Sequence, residues 1–221
     1  KFDYDDDQLI YFRTIHSLCY FWQGLTRSDI LDRKDLRSFS KLVGERINSA
    51  WDGENLMALN SVGDNMLFLE NMARNTCKTY RDSWNTAQSD ISWIHFDWFC
   101  SSYNNFKQTN FLMDYTDMLS GFMNFDTKPP LKALIVDEAQ DLSALQWKCI
   151  HKLAQGLDHV YIAGDDDQAI YKWAGADTDH FINLAGNEIY LEQSYRVPKK
   201  VHDVALNIVK RIKKRPSRRT P

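Results

Sequence analysis

The chain has 221 residues, 43% of them hydrophobic and 26% charged, the balance of a soluble globular protein with room for one large domain or two small ones. A formal net charge of −3 excludes bulk cationic attraction to nucleic acid, so any such surface must come from local placement. Cys19, Cys77, Cys100 and Cys149 are too scattered for a zinc ribbon or a disulfide framework and suit free thiols in a reducing compartment, while no apolar run approaches the ~20 residues that span a bilayer.

The opening, KFDYDDDQLIYFRTIHSLCYFW, runs from an acidic cluster into an alternating stretch over residues 9–15, which predicts a strand. Polar Thr14, His16 and Ser17 lie at its end. From about residue 26 to 110 the pattern turns helical. In GDNMLFLENMARNTCKTYRDSW, Met66, Leu69, Met72 and Ala73 share one face, with Asp64 predicted as the N-cap. In ISWIHFDWFCSSYNNF, Trp93, Phe96, Phe99, Tyr103 and Phe106 do the same, and their simplest role is helix core.

Past TKPP, at 127–130, the rhythm becomes strand, loop, helix, strand. A buried strand is predicted over 131–136, a helix over 143–157 capped by Ser143, a second buried strand over 159–163 and a short third one over 188–191. This alternation implies a parallel sheet with crossover helices, whose ligands bind at the carboxyl ends of the strands. The polar residues gather there: Asp137 and Glu138 after the first strand, GDDDQ (164–168) after the second. The tail KRIKKRPSRRTP reads as an exposed helix end, with contact to a phosphate backbone as the alternative.

A hydrophobic strand ending in Asp-Glu is what nucleotide hydrolysis requires. The Asp orients Mg²⁺ through its water shell, and the Glu polarises the water that attacks the γ-phosphate. VDEAQD is followed by AGDDDQAIYKWAGA (163–176) and then LEQSYR (191–196), three motifs in order, each at a predicted strand end.

With these residues the chain resembles the UvrD/Rep-like superfamily 1 ATP-dependent DNA helicases. FRTIHSLC is similar to that family's TFHS segment, LIVDEAQD to its motif II, GDDDQAIYKWAGA to its motif III and LEQSYR to its motif IV. MDYTDML (113–119) is similar to the acidic-aromatic segment ahead of motif II. The resemblance implies an α/β fold: a RecA-like P-loop NTPase parallel sheet, incomplete here, with an α-helical insertion subdomain. Residues 1–24 and 112–196 would be part of the first motor domain and 25–111 the insertion. Residues 197–221 would begin the second motor domain or form a basic tail.

The resemblance also implies ATP and Mg²⁺ as cofactors and single-stranded and forked DNA as partners, in a cytoplasmic, nucleoid-associated protein if the source is bacterial or viral. Asp137 would serve Mg²⁺ and Glu138 would be the base, both near the metal. Gln140 and Gln168 would sense the γ-phosphate, and Arg196 would reach it as an arginine finger. Thr14, His16 and Ser17 would lie under the DNA strand, and Tyr171 and Trp173 would meet it, with Trp173 as a base-stacking platform.

Three departures qualify this picture. Ala174 stands where the family's motif III carries Arg. None of the nine glycines is followed by Lys, so no phosphate-cradling Gly-Lys-Ser/Thr is present, and motifs V and VI are also missing. Together with a first residue of Lys, this points to a central fragment whose upstream P-loop segment and second motor domain belong to the same parent chain. Such a fragment would not hydrolyse ATP alone, and without the P-loop strand residues 131–136 would present an open apolar edge. The rivals are a non-catalytic DNA-binding module that kept the fold and the motor subunit of a helicase-nuclease complex.

Overall fold

The computed structural model describes residues 10–48, 61–87, 90–191, 195 and 197–209. The strand predicted over residues 9–15 is absent from its described part, and helix α1 (Ile15–Trp22) begins at its last residue. Ile10 and Tyr11 form a turn, and Thr14 caps the helix, its hydroxyl accepting from the Ser17 N–H at 3.3 Å. The alternation was only a few residues long. Ile15, Leu18, Cys19 and Trp22 instead recur at helical spacing and turn one face to the core, so the longer period wins.

Helices α2 (Arg33–Val43), α3 (Val62–Asn75), α4 (Tyr80–Thr86) and α5 (Trp93–Thr109) follow. Each begins where a short polar side chain accepts an otherwise unpaired N–H: Asp32, Ser61, Thr79 and Ser92. Ser61 thus replaces Asp64 as the cap of α3, because its Oγ accepts the Asp64 N–H at 3.0 Å. Asp64 is buried in the first turn, where it accepts from the backbone and side chain of Asn48 at 2.7 and 2.6 Å. Met66, Leu69 and Ala73 of α3, like Phe96, Phe99 and Tyr103 of α5, are buried as their spacing requires. Most of them close around Phe39 of α2 as one apolar cluster, with Trp93 and Phe106 at its margin.

A second cluster joins Leu18 of α1, Leu119 and Phe122 of α6 (Tyr115–Asn124), Val136 of β1 (Leu134–Val136) and Trp147 and Leu153 of α7 (Ala144–Ala154). Ser143 caps α7 in a reciprocal box with Gln146, as the sequence predicts. This helix carries the chain from β1 to β2 (Val160–Ile162), and the strands pair in parallel with Leu134 opposite Val160 and Val136 opposite Ile162.

The sheet is smaller and barer than predicted. Both strands are three residues long, and β2 is not buried: Tyr161 is 60% exposed and its partner Ile135 76%. Leu134 and Val136 face the core, leaving the opposite face of the sheet uncovered among the described residues. Residues 188–191 form no strand, and Leu191 is 93% exposed. Extended backbone needs a neighbouring ladder to satisfy its N–H and C=O groups, and β2 is paired only with β1 among the described residues. Short helices α8 (Thr178–Ile182) and α9 (Lys199–Val209) complete a mainly helical fold around one two-stranded parallel sheet. No helix among the described residues is long and apolar enough to cross a membrane.

Candidate active site at the strand ends

The two strand ends are zipped together by backbone. The Ala163 N–H donates to the Val136 carbonyl at 2.8 Å, and the Ala139 N–H donates back to the Ala163 carbonyl at 3.0 Å. Between these bonds the chain must turn sharply, and Glu138 does so in the left-handed region, with φ 52° and ψ 41°. A non-glycine residue held there stores strain, typically at a site where side-chain aim matters. Asp137 and Glu138 are both exposed. Asp137 Oδ1 accepts the Glu138 N–H at 2.9 Å.

Gln140 is the residue that organises the site. It is buried in the 3₁₀ turn Ala139–Asp141. Its Nε2 donates to Glu138 Oε2 at 2.7 Å, and its Oε1 accepts the Asp165 N–H at 3.0 Å. Both ends of the amide are therefore committed, and the carboxylate after β1 is bolted to the loop after β2. Gly164 makes this approach possible, since a Cβ there would lie 2.6 Å from Gln140 Oε1 and 2.8 Å from the Phe181 ring. Gln168 joins the same assembly through Asp165, whose Oδ2 accepts from Gln168 Nε2 at 2.7 Å while Oδ1 accepts the Asp167 N–H at 3.1 Å. Beside them, burial first and then the Glu138 charge push the Asp141 carboxyl up.

Asp137, Glu138, Gln140 and Gln168 are thus brought together, while Arg196 lies outside the described residues. Sequence reasoning missed Asp165 as the joint and Gly164 as the spacer. The run GDDDQ, a glycine before clustered acids at a strand end, was the available signal.

Tyr171 and Trp173 lie farther along the same loop. The segment is not extended: Tyr171 precedes the 3₁₀ turn Lys172–Ala174, and the two rings meet at 6.4 Å and 47°. Both are half-buried, so Trp173 is neither a core indole nor a free one. The loop end is fixed by the Asp177 N–H donating to the Leu142 carbonyl at 2.8 Å and by Gly175, which comes close to Met72 of α3 and to Thr76 at its C-cap.

Thr14, His16 and Ser17 form the first turn of α1, a separate place. Burial lowers the His16 pKa, so the ring is neutral at pH 7, and it stands edge-on to Tyr115 at 5.9 Å. Among the described residues no hydrogen bond or ring contact joins this turn to Tyr171 or Trp173.

Adjacent carboxylates suit Mg²⁺, which keeps most of its waters and is held by one or two acids plus phosphate oxygens. Asp137 and Glu138 fit that role. A cage made of protein alone is absent, as no group of three His, Cys, Asp or Glu among the described residues could hold a metal ion.

Comparison with known proteins identifies the family. Residues 6–188 match the UvrD/REP helicase N-terminal domain. The chain is 26% identical over 233 aligned positions to the ATP-dependent DNA helicase PcrA of Staphylococcus aureus (strain NCTC 8325 / PS 47), an alignment covering 93% of this chain and 30% of that protein. To the PcrA of Staphylococcus epidermidis (strain ATCC 12228 / FDA PCI 1200) it is 25% identical, with the same coverage. The chain therefore spans under a third of the length of these relatives. With the domain match extending over most of its residues, the chain belongs to the UvrD/REP helicase family.

Proposed function

We propose that this chain is the central part of an ATP-dependent DNA helicase that moves along single-stranded DNA and separates forked duplex. In this reading, residues 1–24 and 112–196 are part of a RecA-like motor domain, 25–111 are its helical insertion, and 197–221 lead into a second motor domain. The parallel β1–α7–β2 unit with its polar strand ends and the two separate apolar clusters support it. An upstream Gly-Lys-Ser/Thr segment of the parent chain would cradle the phosphates and cover the bare sheet.

Asp137 would hold Mg²⁺ through water, and Mg²⁺ when bound supplies neutralising charge to the phosphates. Glu138 accepts the proton of the attacking water. Gln140 fixes the Glu138 carboxylate with an amide engaged at both ends, and the exposed Gln168 is the better sensor of the pair. Arg196 would stabilise charge on the γ-phosphate in the transition state, and Thr14, His16, Ser17, Tyr171 and Trp173 would contact the DNA.

The observation that carries this reading is the bridge from Glu138 through buried Gln140 to the 164–168 loop, which leads on to Tyr171 and Trp173. It would couple the base to the DNA-side loop. The test is strand displacement on a forked duplex by the full-length protein. ATP should drive unwinding, a non-hydrolysable analogue should not, and Gln140→Ala should lower basal ATP turnover and lower its stimulation by DNA further still. Unwinding without nucleotide, or a Gln140→Ala variant with normal DNA stimulation, would refute the reading.

A further inference from the structure

His151 and His180 belong neither to the strand-end site nor to the first turn of α1, yet their rings meet. His151 is exposed on α7 and His180 half-buried on α8, and their Nε2 atoms lie 2.8 Å apart. The ring centroids are 5.0 Å apart, close to the greatest separation that such a contact permits, so the two nitrogens face each other head-on. That is the geometry of one N–H···N hydrogen bond. Two rings chelating a metal would instead aim at a common third point. The buried Trp147 ring lies 4.7 Å from the His180 ring and limits where that imidazole can stand.

The bond tolerates one proton and not two. With both rings neutral, or with one charged, one Nε2 donates and the other accepts. With both charged, two N–H groups and two positive charges face each other, and the contact must open. The surrounding charges are mixed and do not neutralise the pair. Asp177 and Asp179 line the open pocket on one side, where Asp177 accepts the His180 backbone N–H at 3.0 Å and Asp179 pairs with Lys172 at 3.5 Å. On the other side His151 shares a pocket with Lys148 and Lys152 of α7 and with Asp126 beyond α6. Among the described residues neither imidazole pairs with a carboxylate. Burial first, and then the His180 charge, lower the His151 pKa.

What the pair holds is the back of the strand-end site. The buried Thr178 of α8 sends its hydroxyl to the Gln140 carbonyl at 3.5 Å, and Phe181 stands against Gly164. Helix α8 therefore supports both the Gln140 brace and the loop after β2, and the histidine contact ties it to α7. We propose that the His151–His180 pair is a pH-sensitive clasp that holds α8 against the strand-end site and releases it when both imidazoles are protonated, lowering ATP turnover in mild acid. The inference rests on the proposed hydrolysis of ATP at that site. An unfolded histidine titrates near about 6.5, and the folded His151 value lies below it. The clasp is therefore complete above about pH 6.5 and is lost as pH falls through the folded value.

The test follows DNA-stimulated ATP turnover and the unfolding midpoint of the full-length protein from pH 7.5 to 5.5. Over that range an ordinary histidine passes from about one-tenth to about nine-tenths protonated. Turnover of the parent should fall about threefold or more, with the midpoint falling in parallel. The amide of His151→Gln can donate to a neutral His180 or accept from a charged one, so this variant should match the parent at pH 7.5 and lose the acid drop. His151→Ala lacks the bond at every pH and should show at pH 7.5 the lowered turnover that the parent reaches only in acid. The same acid drop in the parent and His151→Gln overturns the proposal, as does parent-like turnover of His151→Ala at pH 7.5. If the midpoints follow the clasp while turnover does not, the pair is structural and the regulation is overturned. If the parent hydrolyses no ATP at any pH, the functional reading fails and the regulation falls with it, while the midpoints still show whether the pair opens in acid.

Discussion

Asp114 and Glu138 each stand immediately before a helical turn, and there the likeness ends. Asp114 has relaxed extended backbone, is largely buried, and has its oxygens taken by Arg74, Lys107 and the Asp117 N–H. Glu138 has left-handed backbone and an exposed side chain, with Oε2 held by the Gln140 amide. The first acid is saturated and can only hold structure. The second is strained and solvent-facing, the state in which a carboxylate can still meet a water or a ligand.

That contrast can be broken on the stability scale. Asp114→Asn should cost the most, roughly 3 kcal/mol, because it leaves two buried cations short of a partner. Chemical denaturation measures it, and a loss within error would mean the cluster is slack. Gly164→Ala should cost about 1–3 kcal/mol by forcing Gln140 or Phe181 aside, and crystallography of the variant should show the Gln140 amide displaced from Glu138. Acid should act more gradually. The Asp114 carboxyl has a folded pKa below its unfolded value of about 3.9, so its contribution is complete above that value and is lost as pH falls toward the folded pKa. Denaturation midpoints measured below about pH 4 should therefore drop more steeply for the parent than for Asp114→Asn. Asp137→Asn should have the smallest effect, an unfolding midpoint indistinguishable from the parent, since this exposed acid supports no packing.

The sequence made some of this plain and hid the rest for physical reasons. The helices with aromatic faces, the Ser143 cap and the β1–α7–β2 crossover follow from spacing and cap chemistry, which are local. The strand predicted over residues 9–15 failed because its alternation was short and residues 10–14 form a turn and a bend ahead of α1, with no strand beside them among the described residues. The predicted strand at 188–191 failed because pairing depends on a neighbour that composition cannot supply. At the site, Asp137 and Glu138 stood out as acids ending an apolar run. The sequence points to Gln140 as a ligand contact, and the three-dimensional return of Gly164 and Asp165 adds the bracing contacts that spacing could not show. The Arg74 cluster joins residues 40 and more positions apart, a distance over which charge patterning carries no signal.

The most direct test of the account is turnover and nucleotide affinity in full-length Glu138→Gln. An amide keeps the shape and the contact with Gln140 but cannot take a proton from water. The account predicts DNA-stimulated ATP turnover lowered by about 10²–10⁴-fold, with ATP affinity and unfolding midpoint unchanged. Wild-type kcat in that variant would contradict it, and Glu138 would then be no more than the strained corner between a strand and a turn.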